Sequence, residues 1–295
     1  MAAMTWEVMT SLPDGGVSSP AVSTSLRRSP PPPTPDVHVG ALLREWRQVR
    51  RLSQFTLALE AEVSARHLSY VETGKSQPSR DMVWRLADAL DVPLRERNTL
   101  LVAAGYAPEY RESSLTTPEM APVRRAIEFI LKQQEPFPAL VTNRSWDVLM
   151  TNHAAIRLFG VFRGGAPKHG NVLEQVFDPE DMRPVLGNWE EVAAYLIRHL
   201  HEALAAAPGD EKLRALRDRV LRYPDIPERW RTREPGALPL PLLTTVFRKG
   251  ELELSYFSTL TTFGTPRDVT LDELHIECMF PMDEATAELS RKLLA

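Results

Sequence analysis

Residues 53–74 carry side chains whose types and spacing suit contact with nucleic acid. Their sequence is SQFTLALEAEVSARHLSYVETG. Arg66, His67 and Tyr70 fall on one face of a helix that would begin after Ser64. An arginine fork can pair with the O6 and N7 atoms of guanine, a contact worth about 1–3 kcal/mol of discrimination. We therefore expect Arg66 to contact bases, with His67 and Tyr70 contacting bases or phosphates beside it.

Two short helices must position these side chains. Ser53 can cap a first helix over Gln54–Glu60. Ala58, inside that helix, is small enough for a second helix to cross closely. Leu68 and Val71 are the inward-facing positions of the second helix. This pattern predicts a helix-turn-helix, in which the polar face of the second helix enters the major groove.

A second group of residues is expected to contact phosphates. Gln54 begins the first helix, the backbone of Thr73–Ser76 follows the second, and Lys75 adds positive charge there. Such contacts set the register on DNA without reading its sequence. Ala65 shares the polar face with Arg66. The alternative is an ordinary pair of capped helices whose polar residues form a solvated face.

Charge is unevenly distributed along the 295 residues. The net charge is −4, yet residues Val37–Pro108 contain ten Arg and Lys against eight Asp and Glu, a local charge of +2. The remainder of the chain therefore carries −6. The net charge of the whole chain does not suggest a nucleic-acid partner. The positive charge of residues Val37–Pro108 is compatible with one, because such binding depends on how charge is distributed.

Composition and the positions of helix- and strand-breaking residues divide the chain into four parts. Residues 1–36 are rich in Ser, Pro and Thr and predict a disordered tail. Residues 37–108 contain five short helical patterns, and residues 109–117 form a polar linker. Residues 118–295 mix helical and strand patterns. We predict a multidomain α and α+β protein, with a five-helix head followed by an α+β domain.

Several elements of the C-terminal part can be placed from periodicity. Alternation in the last two strands suits a half-buried antiparallel sheet. The predicted helices are Val123–Lys132, a helix capped by Asn152, Trp189–Ala207 and Glu211–Tyr223. The predicted strands are Ala139–Thr142, Trp146–Met150, Leu242–Phe247, Leu252–Thr262 and Glu273–Phe280.

The head resembles the Cro/C1-type (XRE) family of helix-turn-helix regulators. The resemblance covers residues 53–74 and the following segment PSRDMVWRLADALDVPLRERNTLLVAAGYAP (Pro78–Pro108). More narrowly, VSARHLSYVETG followed by QPSRDMV resembles the subgroup that carries a MmyB-like ligand-binding domain. The resemblance implies binding to a double-stranded DNA operator through Ala65, Arg66, His67 and Tyr70.

Glu62 departs from the family pattern. It occupies the turn position where the family commonly has glycine. If that position is left-handed, a non-glycine residue adopts it at a cost of about 1 kcal/mol. Either the turn is strained or the head is slightly less stable.

The segment PALVTNRSWDVLMTNHAAIRLFG (Pro138–Gly160) resembles the opening of a PAS-like sensor. Residues Phe257–Pro281 resemble one branch of these regulators, without the usual His-Pro motif before the late strands. The resemblance implies a PAS-like sheet around a small-molecule pocket and points toward a lipid-like or fatty-acid ligand. The candidate lining residues are Phe129, Trp146, Trp189, Phe247 and Tyr256. The alternative, which is the more frequent one for aromatic residues in such a domain, is that each forms part of an ordinary core.

The sequence holds no recognisable catalytic, metal or cofactor motif. There is no nucleophile elbow, Walker loop or dinucleotide fingerprint. The histidines offer no zinc pattern, and the single cysteine, Cys278, lies in an apolar run and is expected to be buried. We therefore expect a non-enzymatic regulator without cofactors.

Location and assembly follow from the same reasoning. The chain has no run of about 20 apolar residues and no secretory signal, so we expect a cytoplasmic protein without a membrane partner. A homodimer is expected because a two-fold operator doubles the base contacts of one head. Two other functions stay open: an enzyme with the head as a docking module, and an adaptor whose head has lost DNA binding.

Overall fold

Five short helices form the N-terminal head of the protein. The computed structural model describes residues 38–207, 209–232 and 242–295, and the predicted disordered tail over residues 1–36 lies outside them. The prediction of a five-helix head is confirmed. Its helices are α1 (Val39–Val49), α2 (Gln54–Glu60), α3 (Ala65–Glu72), α4 (Arg80–Ala89) and α5 (Leu94–Ala103).

Serine caps and left-handed exits set the limits of the head's helices. The hydroxyls of Ser53, Ser64 and Ser79 accept backbone N–H groups in the first turns of α2, α3 and α4. After α2 the chain reverses at Glu62, whose φ is 53°. The predicted left-handed turn is therefore present, and it is made without glycine.

Each helix of the head contributes at least one fully buried leucine to a common core. Burial of such a side chain contributes about 1.5–3 kcal/mol relative to exposure. These side chains are Leu43, Leu57, Leu68, Leu86, Leu100 and Leu101, the last two both from α5.

The first turn of α1 crosses the last turn of α3 in unusually close contact. A Cβ atom added at Gly40 would lie 2.0 Å from the carbonyl oxygen of Val71. Because that oxygen belongs to the backbone of α3, the helices could separate only by moving α3 itself. The absence of a side chain at Gly40 therefore fixes where α3 lies.

We expect Gly40→Ala to destabilise the protein by about 1–3 kcal/mol, the usual cost of forcing extra atoms into a packed interface. The measurement is urea unfolding followed by tryptophan fluorescence. Gly160→Ala is the matched control, because nothing lies within 4 Å of a Cβ built there. That change should leave stability equal or raise it by up to about 1 kcal/mol. Equal stability of the two variants would contradict the prediction.

The C-terminal domain combines one sheet with seven helices in the described residues. Short 3₁₀ turns occur at Pro118–Met120, Arg183–Val185 and Glu228–Arg231. The helices are α6 (Ala121–Gln133), α7 (His153–Phe162), α8 (Val172–Phe177), α9 (Trp189–Ala206), α10 (Glu211–Val220), α11 (Val269–Asp272) and α12 (Glu284–Leu293). The strands are β1 (Ala139–Thr142), β2 (Val148–Thr151), β3 (Thr244–Lys249), β4 (Leu252–Thr261) and β5 (His275–Pro281).

The five strands form an antiparallel sheet in the order β2-β1-β5-β4-β3. β5 is central, and Glu277 on β5 lies opposite both Leu140 on β1 and Leu260 on β4. The prediction of a PAS-like α+β domain is confirmed.

Each face of the sheet supports a separate core. On one face, Ile127 and Leu131 of α6 pack against Val141, Ile276 and Cys278. Cys278 is buried, as expected. The larger core lies on the opposite face, where the sheet packs against α7, α8, α9, α10 and α12.

The strand predicted to begin at Trp146 begins two residues later. The side-chain oxygen of Asn143 accepts the N–H groups of Ser145 and Asp147, and the carbonyl of Asn143 accepts the N–H of Trp146. These bonds close a turn in which Trp146 has a φ of 60°. Trp146 therefore enters the large core from a turn and not from a strand.

Candidate nucleic-acid interface and its connection to the C-terminal domain

The predicted DNA-contacting residues lie on one continuous region of the head. Arg66, His67 and Tyr70 are exposed on α3. Thr73 and Lys75 are exposed in the loop that follows. Gln54 and Ala65 are half-buried at the start of α2 and of α3. The C-terminal domain therefore leaves the polar face of α3 open to solvent.

Arg66 is held by its neighbour one turn along α3. Its Nε donates to the hydroxyl of Tyr70 at 3.1 Å, and its guanidinium carbon lies 5.5 Å from the centroid of the Tyr70 ring. The hydrogen bond uses Nε, so the terminal Nη groups take no part in it. Those groups form the fork that suits paired acceptors such as guanine O6 and N7.

The loop after α3 is shaped by bonds back to that helix. The carbonyl of Tyr70 accepts the N–H groups of Lys75 and Ser76, at 2.8 and 3.2 Å. The Ser76 hydroxyl lies 3.2 Å from Nε2 of His67. These contacts present Lys75 beside the polar face of α3, where sequence reasoning expected a phosphate contact.

A buried ion pair joins α1, α2 and α3 beneath this surface. Arg47 on α1 donates from Nε and Nη2 to the two carboxylate oxygens of Glu72 on α3, at 2.7 and 2.8 Å. Gln54 on α2 donates to Oε2 of Glu72 at 2.8 Å. The Glu72 side chain is 1% exposed. Gln54 was predicted to contact phosphate. Its side chain is oriented by the hydrogen bond to Glu72 inside the head.

The ionised state of Glu72 depends on these partners. Burial alone would raise the pKa of Glu72, but the hydrogen bonds from Arg47 and Gln54 outweigh it and lower that pKa below its ordinary value. Arg44 contributes to the same lowering, which places its exposed positive charge near Glu72. Sequence reasoning did not identify this network, because Arg47 and Glu72 lie 25 residues apart.

We expect Glu72→Gln to destabilise the protein by about 3 kcal/mol at pH 7, because Arg47 would remain buried without its counter-charge. A lowered carboxyl pKa contributes stability above the ordinary pKa of about 4.3 and loses it as pH falls through the folded-state value. The stability difference from the natural protein should therefore shrink below about pH 4.

The measurement is urea unfolding across that pH range. Glu62→Gln is the control, because its carboxylate is 85% exposed and lies 3.9 Å from Arg85. It should change stability by less than about 0.5 kcal/mol. A constant difference for Glu72→Gln from pH 7 to pH 3 would refute the role of this carboxylate.

A second buried charge cluster connects the head to the C-terminal domain. Arg144, in the turn between β1 and β2, donates from Nη1 to Glu96 of α5 at 2.8 Å and to Glu273 at 3.0 Å. Its Nη2 donates to Asp210, which caps α10. These four side chains are between 13 and 17% exposed. Burial would lower the pKa of Arg144, but the surrounding carboxylates, Glu96 foremost, raise it.

Arg95 extends this cluster to the predicted linker. Its Nε donates to Glu273 at 2.7 Å, and its Nη1 donates to Glu112 at 2.9 Å. The carbonyl of Arg111 accepts the N–H of Val269 at 2.8 Å. Residues 109–117 therefore contact both the head and the C-terminal domain. No local sequence signal predicts this cluster, because its members come from five separate segments.

Four of the five predicted pocket residues share the large core of the C-terminal domain. Tyr256 and Phe247 are buried there, with ring centroids 6.2 Å apart, and Trp146 and Trp189 pack against the same core. Phe129 does not join them. Its side chain is 64% exposed, because it lies on the outer side of α6, opposite Ile127 and Leu131. The prediction that Phe129 lines this interior is wrong.

Within residues 38–207, 209–232 and 242–295, no helix has the length and apolar character needed to cross a bilayer. The same residues contain no group of three or more side chains suited to hold a metal ion.

Comparison with known proteins yields two family matches. Residues 38–100 match the model described as a helix-turn-helix domain, and residues 123–293 match the MmyB-like transcription regulator ligand binding domain. No curated protein matches the chain. A solved structure of an RNA-binding Light-Oxygen-Voltage receptor covers 87% of this chain at 14% identity with a TM-score of 0.26. The present chain spans 60% of that receptor's chain, and a TM-score this low establishes no shared fold.

These matches agree with the fold and the exposed face of α3. The head is a helix-turn-helix domain, and α3 is its second helix. The second match extends over more than half of the chain. The chain therefore belongs to the MmyB-like transcription regulator family, as defined by its ligand-binding domain.

Proposed function

We propose that the protein is a sequence-specific, DNA-binding transcription regulator. The observation that carries this proposal is the open polar face of α3, where Tyr70 holds the guanidinium of Arg66. The helix-turn-helix match supports the same function. In this proposal α3 enters the major groove of a double-stranded operator, Arg66 contacts bases, and Ala65, His67 and Tyr70 contact bases or phosphates beside it.

The flanks of α3 supply the phosphate contacts in this proposal. Lys75 and the exposed Thr73 follow the helix, and Gln54 begins α2. The exposed Arg44 near Glu72 extends the positive region toward α1. Affinity for DNA should therefore fall steeply as salt concentration rises, because each neutralised phosphate releases counterions.

We expect Arg66→Ala to weaken binding to the operator about 10- to 100-fold, because it removes a bidentate base contact. Tyr70→Phe should weaken binding less, because it removes only the hydroxyl that orients Arg66. The measurement is a mobility shift on the DNA upstream of the protein's own gene, with an unrelated duplex as competitor.

Arg291→Ala is the matched control for charge. Arg291 lies on α12 and pairs with Glu284, so its loss changes the net charge equally without touching the head. If Arg66→Ala binds the operator as well as Arg291→Ala does, the assignment of α3 as the reading helix is wrong. Loss of specific binding in both variants would favour general electrostatic attraction instead.

We further propose that the C-terminal domain senses a small apolar ligand, for which a fatty acid is the first candidate. The family match to a ligand-binding domain supports this, as does the aromatic core around Tyr256. The head, residues 37–108, and the sensor, residues 118–295, would thus act in one chain joined by residues 109–117. We propose no reaction, because one matched domain is a helix-turn-helix and the other is the ligand-binding domain of a transcription regulator.

The buried cluster around Arg144 supplies a route between ligand and DNA. It ties α5 of the head to Asp210 and Glu273 of the sensor. A ligand that favours one arrangement of the sensor would, through these charges, favour one arrangement of the head. In a homodimer this would set the distance between two reading helices, which must match the spacing of the operator's half-sites.

Native mass spectrometry of the purified full chain tests the ligand and the dimer together. We expect a mass of two chains, with an additional small mass that disappears on extraction with organic solvent. A single chain that carries no small molecule and still shifts the operator would remove both the dimer and the sensor from the proposal, and would leave DNA binding intact.

A further inference from the structure

The loop that follows α3 has no backbone donor left for DNA. Each of residues 73–76 donates its backbone N–H to a carbonyl group of α3, over distances between 2.8 and 3.2 Å. The accepting carbonyls belong to Ser69, Tyr70 and Val71. These N–H groups, which were expected from the sequence to meet phosphates, are thus used inside the head. A hydrogen bond from this region to a phosphate therefore needs a side-chain donor.

His38, the residue that precedes α1, supplies such a donor. Its Nδ1 accepts the backbone N–H of Gly40 at 3.0 Å and thereby caps α1. A ring nitrogen that accepts a hydrogen bond carries no proton, so the neutral imidazole carries its proton on Nε2. Among the residues that the structure describes, no group forms a hydrogen bond with this Nε2. His38 is exposed, so its N–H is open to solvent.

The His38 ring lies against the loop that carries Lys75. A Cβ atom built on Gly74 would lie 3.6 Å from Cε1 and 3.7 Å from Nε2 of His38. Gly74 has a φ of 73°, a left-handed conformation that glycine adopts without a steric penalty. The close crossing of α1 and α3 at Gly40 keeps the start of α1 beside this loop. The imidazole is therefore held next to the residue that immediately precedes Lys75.

We propose that His38 donates from Nε2 to a DNA phosphate, so that the start of α1 belongs to the nucleic-acid interface. This inference rests on the proposed DNA-binding function and adds a contact that sequence reasoning did not identify. A hydrogen bond from this N–H to a charged phosphate oxygen is stronger than one between two neutral groups. The contact holds the head on the duplex and reads no bases.

His38 and Lys75 contribute to binding in different ways. Lys75 is a cation, so its contact with a phosphate releases a counterion and steepens the dependence of affinity on salt concentration. His38 caps α1 only while its Nδ1 has no proton, so it binds phosphate as a neutral group and releases no counterion. Loss of His38 should weaken binding equally at every salt concentration, whereas loss of Lys75 should also make the salt dependence less steep.

The test measures binding of the full chain to two duplexes of equal length by fluorescence anisotropy over a range of salt concentrations. One duplex is the DNA upstream of the protein's own gene, and the other is an unrelated sequence. His38→Asn keeps a favourable N-cap for α1 and removes Nε2. We expect it to bind both duplexes about tenfold more weakly, with an unchanged salt slope. Lys75→Ala should weaken binding to both and reduce the slope by about 1.

His153→Asn is the matched control, because His153 is an exposed histidine at the start of α7 in the C-terminal domain. It should bind both duplexes as the natural protein does. Thermal unfolding separates the two roles of His38. His38→Asn should unfold at the temperature of the natural protein, whereas His38→Ala, which loses the cap as well, should unfold at a lower temperature.

Nitrogen NMR of the histidine side chains gives a readout from the natural protein itself. Nε2 of His38 should carry the ring proton, and its resonance should shift when the unrelated duplex is added. The resonance is assigned by its loss in His38→Asn. A proton on Nδ1 in the free protein, or an Nε2 resonance that stays in place while DNA binds, would overturn the inference.

Three binding results would also overturn the phosphate contact. They are equal affinity of His38→Asn and the natural protein, a loss confined to the upstream duplex, and a reduced salt slope for His38→Asn. None of them bears on the regulator function, which depends on whether the natural protein prefers the upstream duplex. Equal binding of the natural protein to both duplexes would contradict that function, while a tenfold loss on both in His38→Asn would still support the contact.

Discussion

The head of this protein depends on one buried interaction, the ion pair between Arg47 and Glu72. Glu72 lies in the last turn of α3, where the helix dipole disfavours a carboxylate. The two hydrogen bonds from Arg47 and one from Gln54 offset both that effect and the loss of water. Because the three residues come from three helices, the pair fixes α3 relative to α1 and α2. The close crossing at Gly40 then determines how near α3 can lie.

Charge has a different role at the boundary with the C-terminal domain. There, Arg95 and Arg144 are shared among several carboxylates that belong to both sides. Arg144 is shared by Glu96, Glu273 and Asp210, whereas Arg47 binds the one carboxylate of Glu72 through two hydrogen bonds. The head is thus joined internally by a bidentate pair of fixed geometry, while its attachment to the C-terminal domain depends on several carboxylates at once.

Local sequence signals predicted the elements well and the long-range contacts poorly. Serine caps and apolar periodicity defined α2, α3 and α4, and the α+β character of the rest followed from strand alternation. The predicted start of a strand at Trp146 was wrong, because a turn takes the place of the first two residues of that strand. Hydrogen bonds from backbone N–H groups to the side-chain oxygen of Asn143 close this turn. Phe129 was assigned to the interior because its type favours burial, although its place on α6 exposes it. Arg47 and Arg144 gain their importance from partners distant in sequence, which periodicity does not reveal.

The turn between β1 and β2 has an evolutionary consequence. It presents Trp146 to the core of its own domain and Arg144 to α5 of the head, only two positions apart. A recombination event that joined this C-terminal domain to a foreign head lacking acid at position 96 would leave a buried guanidinium partly uncompensated. Exchange of heads between related regulators should therefore succeed mainly when α5 is inherited together with the domain that recognises it.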